Sequence, residues 1–463
     1  MSDIGKAAGP AGRNTKRIEM LRSGPVGTVL FKLSAPAIAG MVVMAVYNVV
    51  DTYFVSLLRE TTAIAATGIV FPLFQLVGAV GLTFGMGAAS VISRRLGENR
   101  YESAHEAAAT AFYTALVIGV VLSIAGVAGI RPLLRLFGAT DTIMREAVLY
   151  GRIIVGGSVF VVINMTTNNL LRSEGASLHS SMGQILGAVL NIILDPIFIF
   201  VFDMGITGAA VATVISQSCS TLFLLSFYIR KSGTLQPLNL RNVHIHWSTY
   251  RGIMTLGLPT FVRQILGSMS FAILNNAAAS FGDAAIAAIS VTFRLFMLLL
   301  MGLLGLAQGL QPLAGYNYGA GQISRVRATI RIVFTVAIAV GAVAGAGSFL
   351  FAGSIMRIFT PQDQIVIAMG SEAIRLMSVA LVPVGLVIMF GGIFQALGDG
   401  RSALILAAGQ QGLFLIPLVV LLPHFFGLTG VFAAQPAGFI LAFGIGCILL
   451  RGTFRKLKIE EAA

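Results

Sequence analysis

The chain has 463 residues, of which 56% are hydrophobic and 11% are charged, and its mean hydropathy is +0.89. Soluble domains carry about 25% charged residues, so this chain has less than half of the charge that a solvated surface needs. The composition excludes a soluble enzyme, a nucleic-acid-binding protein and a disordered chain. It indicates an all-α polytopic membrane protein, and the net charge of +13 is typical of Lys and Arg enrichment in cytosolic loops.

Twelve long apolar segments are predicted to span the bilayer. Their ranges are 28–57, 62–92, 105–130, 144–171, 177–202, 207–230, 250–281, 285–314, 326–350, 366–395, 402–424 and 427–450. With cytosolic termini, 22 of the 31 Lys and Arg residues lie in the tails, the even-numbered loops or the foot of the first span. Seven lie at the other face and two inside spans. This bias predicts a multi-pass protein of the cytoplasmic (inner) membrane with both termini in the cytosol.

The two halves of the chain repeat each other at one constant offset along the sequence. The offset pairs Gly87, Gly97, Arg135, Phe137, Asp141 and Thr207 with Gly309, Gly319, Arg357, Phe359, Asp363 and Thr429. The predicted organisation is a cytosolic tail (1–27), an N-lobe (28–230), a cytosolic linker (231–249), a C-lobe (250–450) and a second cytosolic tail (451–463). Six spans per lobe give both lobes one orientation, with a cavity between them, which is typical of transporters.

Two acids lie inside predicted spans, Asp51 in YNVVDTYFV and Asp195 in LNIILDPIFIF. At about 1.5 Å per residue, both lie roughly 10 Å below the outer end of their spans, and Thr213 of the sixth span is at the same level. Asn191 and Tyr47 each precede one acid by four residues and share its helical face. A charge at this depth is costly, so these five residues are the predicted coupling site for H⁺ or Na⁺. The alternative is that the acids are structural.

The C-lobe repeats the scaffold without these acids. Opposite Asp51, Asp195 and Thr213 it has Ile273 or Leu274, Pro417 and Gln435. The polar residues predicted to line a substrate cavity, with helix packing as the alternative, are Asn164, Asn168, Asn275, Asn276, Arg294, Gln308 and Gln311. Arg263 and Arg294 are the basic residues inside spans, where such residues commonly pair with backbone carbonyls or reach toward the interface.

The chain resembles the multidrug and toxic compound extrusion (MATE) transporters over nearly its whole length. The matching segments are PAI and YNVVDTYFV in the first span, LRSEG at 171–175, LNIILDPIFIF followed by GITGAAVAT, and QGLQPLAGYNYGAG and QALGDGR in the second half. The resemblance implies two six-helix bundles forming a V. It also implies antiport, in which inward flow of Na⁺ or H⁺ expels amphipathic, often cationic compounds.

In the branch with N-lobe acids, the resemblance implies a coupling site at Asp51, Asn191, Asp195 and Thr213. Other branches place acids in spans seven, eight or ten, where this chain has none at depth, so coupling through the first half is favoured. The same set is the predicted Na⁺ site if Na⁺ is the coupling ion.

We therefore predict a transporter and not an enzyme, with no cofactor besides the coupling ion. Its predicted partners are small amphipathic substrates and the lipid bilayer, without nucleic acid or ATP, since the chain has no GxxxxGK[ST] motif. We predict a monomer. The alternatives are a lipid-linked oligosaccharide flippase, which needs basic groups such as Arg263 and Arg294, and a prenyl transferase, which needs paired DDxxD carboxylates.

Overall fold

The computed structural model describes residues 13–58, 61–243, 246–361 and 363–462, and every regular element in these ranges is helical. The first half contains α1 (Arg13–Ser23), α2 (Val26–Ser56), α3 (Thr61–Gly97), α4 (Tyr101–Ala128), α5 (Ile130–Leu136), α6 (Met144–Gly156), α7 (Ser158–Ser173), α8 (Ser177–Pro196) and α9 (Gly205–Ile229). The second half contains α10 (Trp247–Ala279), α11 (Asp283–Gly319), α12 (Ile323–Leu350), α13 (Ala352–Phe359), α14 (Gln364–Val379), α15 (Leu381–Ala396), α16 (Gly400–Ala408) and α17 (Leu415–Ala462). This confirms the all-α class, which lipid imposes because a helix satisfies its own backbone groups.

Three short helical segments have a different hydrogen-bond spacing. Two are π-helical, Ile197–Val201 after α8 and Gly409–Phe414 between α16 and α17, and Leu240–Asn242 in the linker is a 3-10 turn. The predicted N-terminal tail contains a helix, α1. Residues 1–12 of that tail and residues 244–245 of the predicted linker lie outside the described residues.

The described helices provide the twelve predicted spans. Eight segments are long and apolar enough to cross a bilayer, and two bent helix pairs raise the number to ten. The segment Gly400–Arg455 makes two crossings, because the backbone breaks at Gly427 with φ 58° and ψ −136°. The 33-residue α10 packs against α3 and α16 and completes the set, although it is more polar.

Two of the spans that the sequence predicts as continuous are bent in the structure. The fourth span divides into α6 and α7 with a bend of 44° at Gly157, and the tenth divides into α14 and α15 with a bend of 50° at Ala380. The repeat places these two breaks opposite each other to within a single position. It also places the start of α5 at Ile130 opposite the start of α13 at Ala352, two short helices that the sequence analysis does not predict. The structure therefore repeats its irregular features as well as its spans.

The lobes meet where glycines allow helix backbones to touch. At the crossing of α3 and α11, a Cβ on Gly97 would overlap the carbonyl oxygen of Tyr316, and a Cβ on Gly319 would overlap that of Arg94. The repeat pairs Gly97 with Gly319 and Arg94 with Tyr316, so the crossing is symmetric. Small residues at helix crossings let backbones approach closely where lipid offers no hydrophobic drive for association.

Further contacts extend this inter-lobe seam along α3. A Cβ on Gly87 would overlap a carbonyl of α10, and a Cβ on Gly257 of α10 would overlap a carbonyl of α3. The hydroxyl of Ser90 donates a hydrogen bond to the carbonyl oxygen of Gln395 in the other lobe. These crossings lie in the half of each helix nearest the membrane face that carries α1 and the linker, which we call the terminal face.

The helix α1 and the linker are joined by a hydrogen bond at the terminal face. Arg17 of α1 donates from Nη1 to the carbonyl oxygen of Ser232 at 3.0 Å, and its guanidinium lies 4.9 Å from the centroid of the Phe227 ring. On the other side, Arg325 of α12 donates from Nη2 to the carbonyl oxygen of Gly24 at 2.7 Å. The segment around α1 therefore contacts both lobes.

Candidate functional site

Four of the five residues predicted for the coupling site meet between α2, α8 and α9. The side chain of Asn191 donates from Nδ2 to Asp195 Oδ1 at 3.2 Å and to Thr213 Oγ1 at 3.4 Å. The carboxyl group of Asp51 faces that of Asp195. Asp195 is completely buried, Asn191 and Thr213 are buried, and Asp51 is half-buried.

Tyr47 closes one side of this acidic site. It is buried, it lies one helical turn from Asp51 on α2, and its hydroxyl is directed at Thr213. Tyr150 of α6 approaches both carboxyl groups and was not predicted from the sequence. Two aromatic hydroxyl groups therefore border the two carboxyl groups.

The acidic site has oxygens available for a ligand. Asn191 Oδ1 and Asp195 Oδ2 are buried without a hydrogen-bond partner in the described part of the chain. The two ion pairs found there, Arg100 with Glu98 and Arg135 with Asp141, are remote from it, so neither acid is paired with Lys or Arg. Carboxylate, amide and hydroxyl oxygens are the ligands that hard cations prefer, and a carboxyl pair can equally hold a proton.

A cavity with an empty volume of about 390 Å³ adjoins the acidic site inside the N-lobe. Four helices line it, and its walls carry amide and hydroxyl groups beside two methionines. The polar residues of the lining are Tyr47, Asn164, Gln184, Asn191, Thr213, Ser216, Gln217 and Ser220. Asn164, predicted as a cavity residue, therefore lies beside the acids.

Asn168 of α7 lies farther from the acidic site than Asn164, where α7 packs against α8. It donates from Nδ2 to Asn164 Oδ1 at 2.9 Å, and its own Oδ1 accepts from Ser180 Oγ at 2.6 Å. Both asparagines are almost completely buried. Asn168 thus belongs to a hydrogen-bonded network that begins at the cavity and leads toward the terminal face.

The predicted cavity residues of the C-lobe are scattered. Asn276 and Arg294 are exposed, and Asn275 is half-buried with its Oδ1 unpartnered among the described residues. Gln308 and Gln311 of α11 contact the N-lobe at the seam: Gln308 Nε2 lies 3.9 Å from the sulfur of Met41, and Gln311 Nε2 donates to a carbonyl of α3 at 3.3 Å. The structure does not gather these five residues into one wall.

The C-lobe has its own cavity, with an empty volume of about 320 Å³. Its lining is Leu274, Ile289, Thr292, Phe293, Ala373, Met377, Val431, Phe432 and Gln435. Gln435 is the residue that the repeat places opposite Thr213, and Leu274 is one of the two residues, Ile273 and Leu274, that it places opposite Asp51. The C-lobe cavity therefore contains no ionisable side chain, and the two lobes differ in charge where they correspond in fold.

A buried acid that the sequence analysis did not select lies at the terminal face. Glu174 follows α7, and its Oε2 accepts hydrogen bonds from the backbone N–H groups of Thr234 at 2.5 Å and Leu235 at 3.1 Å. Burial raises the pKa of Glu174 to about 7, although these two bonds and the nearby Arg17 act in the opposite direction. The motif LRSEG contains this residue, but its spacing does not reveal the contact with the distant linker.

A protein family model matches corresponding segments in the two repeated halves of the chain. The MatE family model matches two segments, residues 36–197 in the N-lobe and 259–421 in the C-lobe. The repeat places the starts of the two matches opposite each other to within a single position, and together they cover well over half of the chain. The chain belongs to the MatE family. The predicted resemblance to MATE transporters is thus confirmed.

Relatives of known name and structure are similar along most of their length. The chain is 29% identical over 402 residues to the multidrug export protein MepA of Staphylococcus saprophyticus, which covers 87% of this chain and 88% of the relative. It is 28% identical over 437 residues to MepA of Staphylococcus haemolyticus, covering 93% and 96%. An outward-facing structure of a multidrug resistance MATE family transporter aligns with a TM-score of 0.90 at 28% identity, covering 96% of this chain and all of that one.

Proposed function

We propose that this MatE family member is a secondary antiporter that exports amphipathic, often cationic organic compounds in exchange for H⁺ or Na⁺. The names of its relatives support multidrug export. The observation that carries the coupling is the pair of facing carboxyl groups in one lobe, the buried Asp195 and the half-buried Asp51, without a Lys or Arg partner among the described residues. A buried carboxyl pair requires a cation to offset its cost.

The proposed orientation places the terminal face in the cytosol. The enrichment of Lys and Arg in the tails and even-numbered loops supports it. The seam of α3 with α10 and α11 is closed at that face, and from this we infer that the lobes open toward the outside. The similarity to an outward-facing relative is consistent with this state.

Coupling follows from differential affinity. A bound cation shifts a conformational equilibrium only if it binds the two conformations with different affinity. In the proposed cycle, H⁺ or Na⁺ enters the acidic site from outside and neutralises part of its charge. The bound cation then favours the conformation in which the lobes are closed toward the outside. Release to the cytosol leaves both carboxyl groups free to attract the next cation.

The C-lobe cavity fits a different task. Its lining of Leu, Ile, Phe and Met side chains with Thr292 and Gln435 offers adaptable apolar contact and no charge. We expect it to bind the apolar portion of substrates, while the N-lobe alone exchanges the cation. We expect no cofactor beyond the coupling ion, and a monomer.

The experiment uses purified protein in liposomes with an Na⁺ or an H⁺ gradient imposed separately, and measures dye efflux. Asp51→Asn and Asp195→Asn should each abolish gradient-driven efflux while the protein remains folded. The exposed Asp141→Asn is the matched control and should transport as the unmodified chain does. Wild-type efflux in both mutants would refute the coupling site. No gradient-driven efflux of any dye by the unmodified chain would favour the flippase alternative.

A further inference from the structure

A row of polar side chains continues from the acidic site toward the terminal face. On α8, Asp195, Asn191, Gln184 and Ser180 lie on one helical face, because they are spaced by four, seven and four residues. The fifteen residues from Asp195 to Ser180 correspond to about 22 Å of helix. This is most of the thickness of the hydrocarbon core of a bilayer, which is about 30 Å.

Side chains from α7 and α9 join this row into a network. From the network of Asn191 and Thr213, α9 leads inward through Ser216 to Ser220, whose hydroxyl accepts from Asn164 Nδ2 at 2.8 Å. The two asparagines of α7 and Ser180 continue it through bonds of 2.9 and 2.6 Å. We call this set the polar ladder; its members are Asn191, Thr213, Ser216, Ser220, Gln184, Asn164, Asn168 and Ser180.

The ladder contains buried polar atoms that no protein group satisfies. Ser216 Oγ, Gln184 Oε1 and the neighbouring Ser181 Oγ have no hydrogen-bond partner in the described part of the chain. Ser216 is 2% exposed and Ser181 is 1% exposed. Leaving such groups unpaired costs about 1–3 kcal/mol each, so a ligand or water is expected to contact them.

The position of the cavity supports a hydrated passage. Asn164, Gln184, Ser216 and Ser220 all line the N-lobe cavity, which also touches Asn191 and Thr213 of the acidic site. Polar cavities of sufficient size hold water, whereas apolar ones stay dry. Ser180, the last member, is three residues from the start of α8 at the terminal face. The ladder therefore connects the acids with the end of the lobe.

We propose that the polar ladder is the route by which the coupling cation leaves the acidic site for the cytosol, inside the N-lobe and apart from the cleft that carries the drug. This inference rests on the proposed function. Hydroxyl and amide oxygens can replace part of the hydration shell of Na⁺, and water held by the same groups can relay H⁺, which Asp195 releases. A separate route prevents drug and cation from obstructing each other.

The first test measures access and needs no transport of drug. In a background of Cys219→Ser and Cys447→Ser, Ser216→Cys and Ser180→Cys are exposed to Ag⁺ in inside-out vesicles. Both thiols should react faster than that of the control Ser378→Cys, whose site is also buried but lies in α14 of the C-lobe. Equal rates at all three positions would overturn the proposal.

The second test measures flux in liposomes. The double variant Ser216→Ala with Ser220→Ala should slow cation entry about tenfold, because two oxygens are lost from the route. The external cation concentration that gives half-maximal rate should not change, because the acidic site is intact. Ser378→Ala is the control.

Unchanged entry in a folded double variant would mean that the cation leaves through the cleft, and it would overturn the proposal. If the unmodified chain shows no coupled flux, the proposed function fails, and the silver accessibility still decides whether the ladder is a passage.

Discussion

The symmetric crossing of α3 and α11 provides a sharp test of how the lobes move. In Gly319→Ala, the new Cβ would overlap the carbonyl oxygen of Arg94, and in Gly97→Ala that of Tyr316. Overpacking of this kind costs about 1–3 kcal/mol. Because the cost falls only on the conformation with a closed seam, the equilibrium should shift toward the seam-open state by roughly 5- to 150-fold.

The assay is the distance between spin labels on the two lobes at the terminal face, for example at the exposed Glu102 and Arg401. Each variant should increase the population with a long inter-label distance. The matched controls are Gly302→Ala in α11 and Gly78→Ala in α3, where a new Cβ meets nothing within 4 Å. If the seam variants and the control variants give the same distribution of inter-label distances, backbone contact at the seam does not hold the lobes together.

Three further predictions concern single side chains. Burial raises the pKa of Glu174 to about 7, so its contribution to the free energy of unfolding is present below its unfolded pKa of about 4.5 and is lost as the pH rises through 7. In Glu174→Gln, the free energy of unfolding should therefore vary by about 3 kcal/mol less across this pH range. A thermal unfolding series with the same pH slope in the variant would contradict this prediction. Asn191→Leu should raise the half-saturating concentration of the coupling cation roughly tenfold in liposome transport, because it removes an amide oxygen, and an unchanged value would exclude Asn191 as a ligand. Arg325→Gln should destabilise the packing of α1, because it removes the charged hydrogen bond to the carbonyl oxygen of Gly24, and amide hydrogen exchange in α1 should become faster. The control is Arg331→Gln at an exposed position. Equal exchange rates in the two variants would contradict the role of this bond.

The acidic site could be predicted from the sequence because its signal is local. An acid in an apolar run is rare and costly, and its depth follows from counting residues from the end of the span, since an α-helix has a constant rise. Asp51, Asp195 and Thr213 lie on different helices, but the count places them at one level, and the structure brings them together. Their role in coupling remains a prediction.

The polar ladder could not be predicted in this way. Ser and Thr are common in membrane helices and can satisfy themselves on a carbonyl of their own helix, so their positions do not show which ones face each other. Asn164 and Ser220 are 56 residues apart, and only packing of α7 against α9 joins them. The bends at Gly157 and Ala380 were missed for a related reason, because an apolar run looks the same whether it is straight or bent.

Gln308 and Gln311 show that a polar residue in an apolar span does not by itself identify a cavity. Amides in an apolar span suggest a polar cavity, but both side chains reach toward methionine residues of the N-lobe at the seam. A polar group in a membrane helix can serve a ligand or another helix, and the choice depends on the neighbouring lobe.

The confinement of the acids to one of two repeated lobes has an evolutionary consequence. A single cavity that bound both drug and ion would restrict the substitutions it could accept, because a change that admits a new compound could also destroy energy conversion. If the N-lobe acids carry the coupling as we propose, the uncharged C-lobe cavity can accumulate substitutions at Phe293 or Met377 while the coupling site stays intact. New resistance spectra would then arise on the side of the molecule where variation is least harmful.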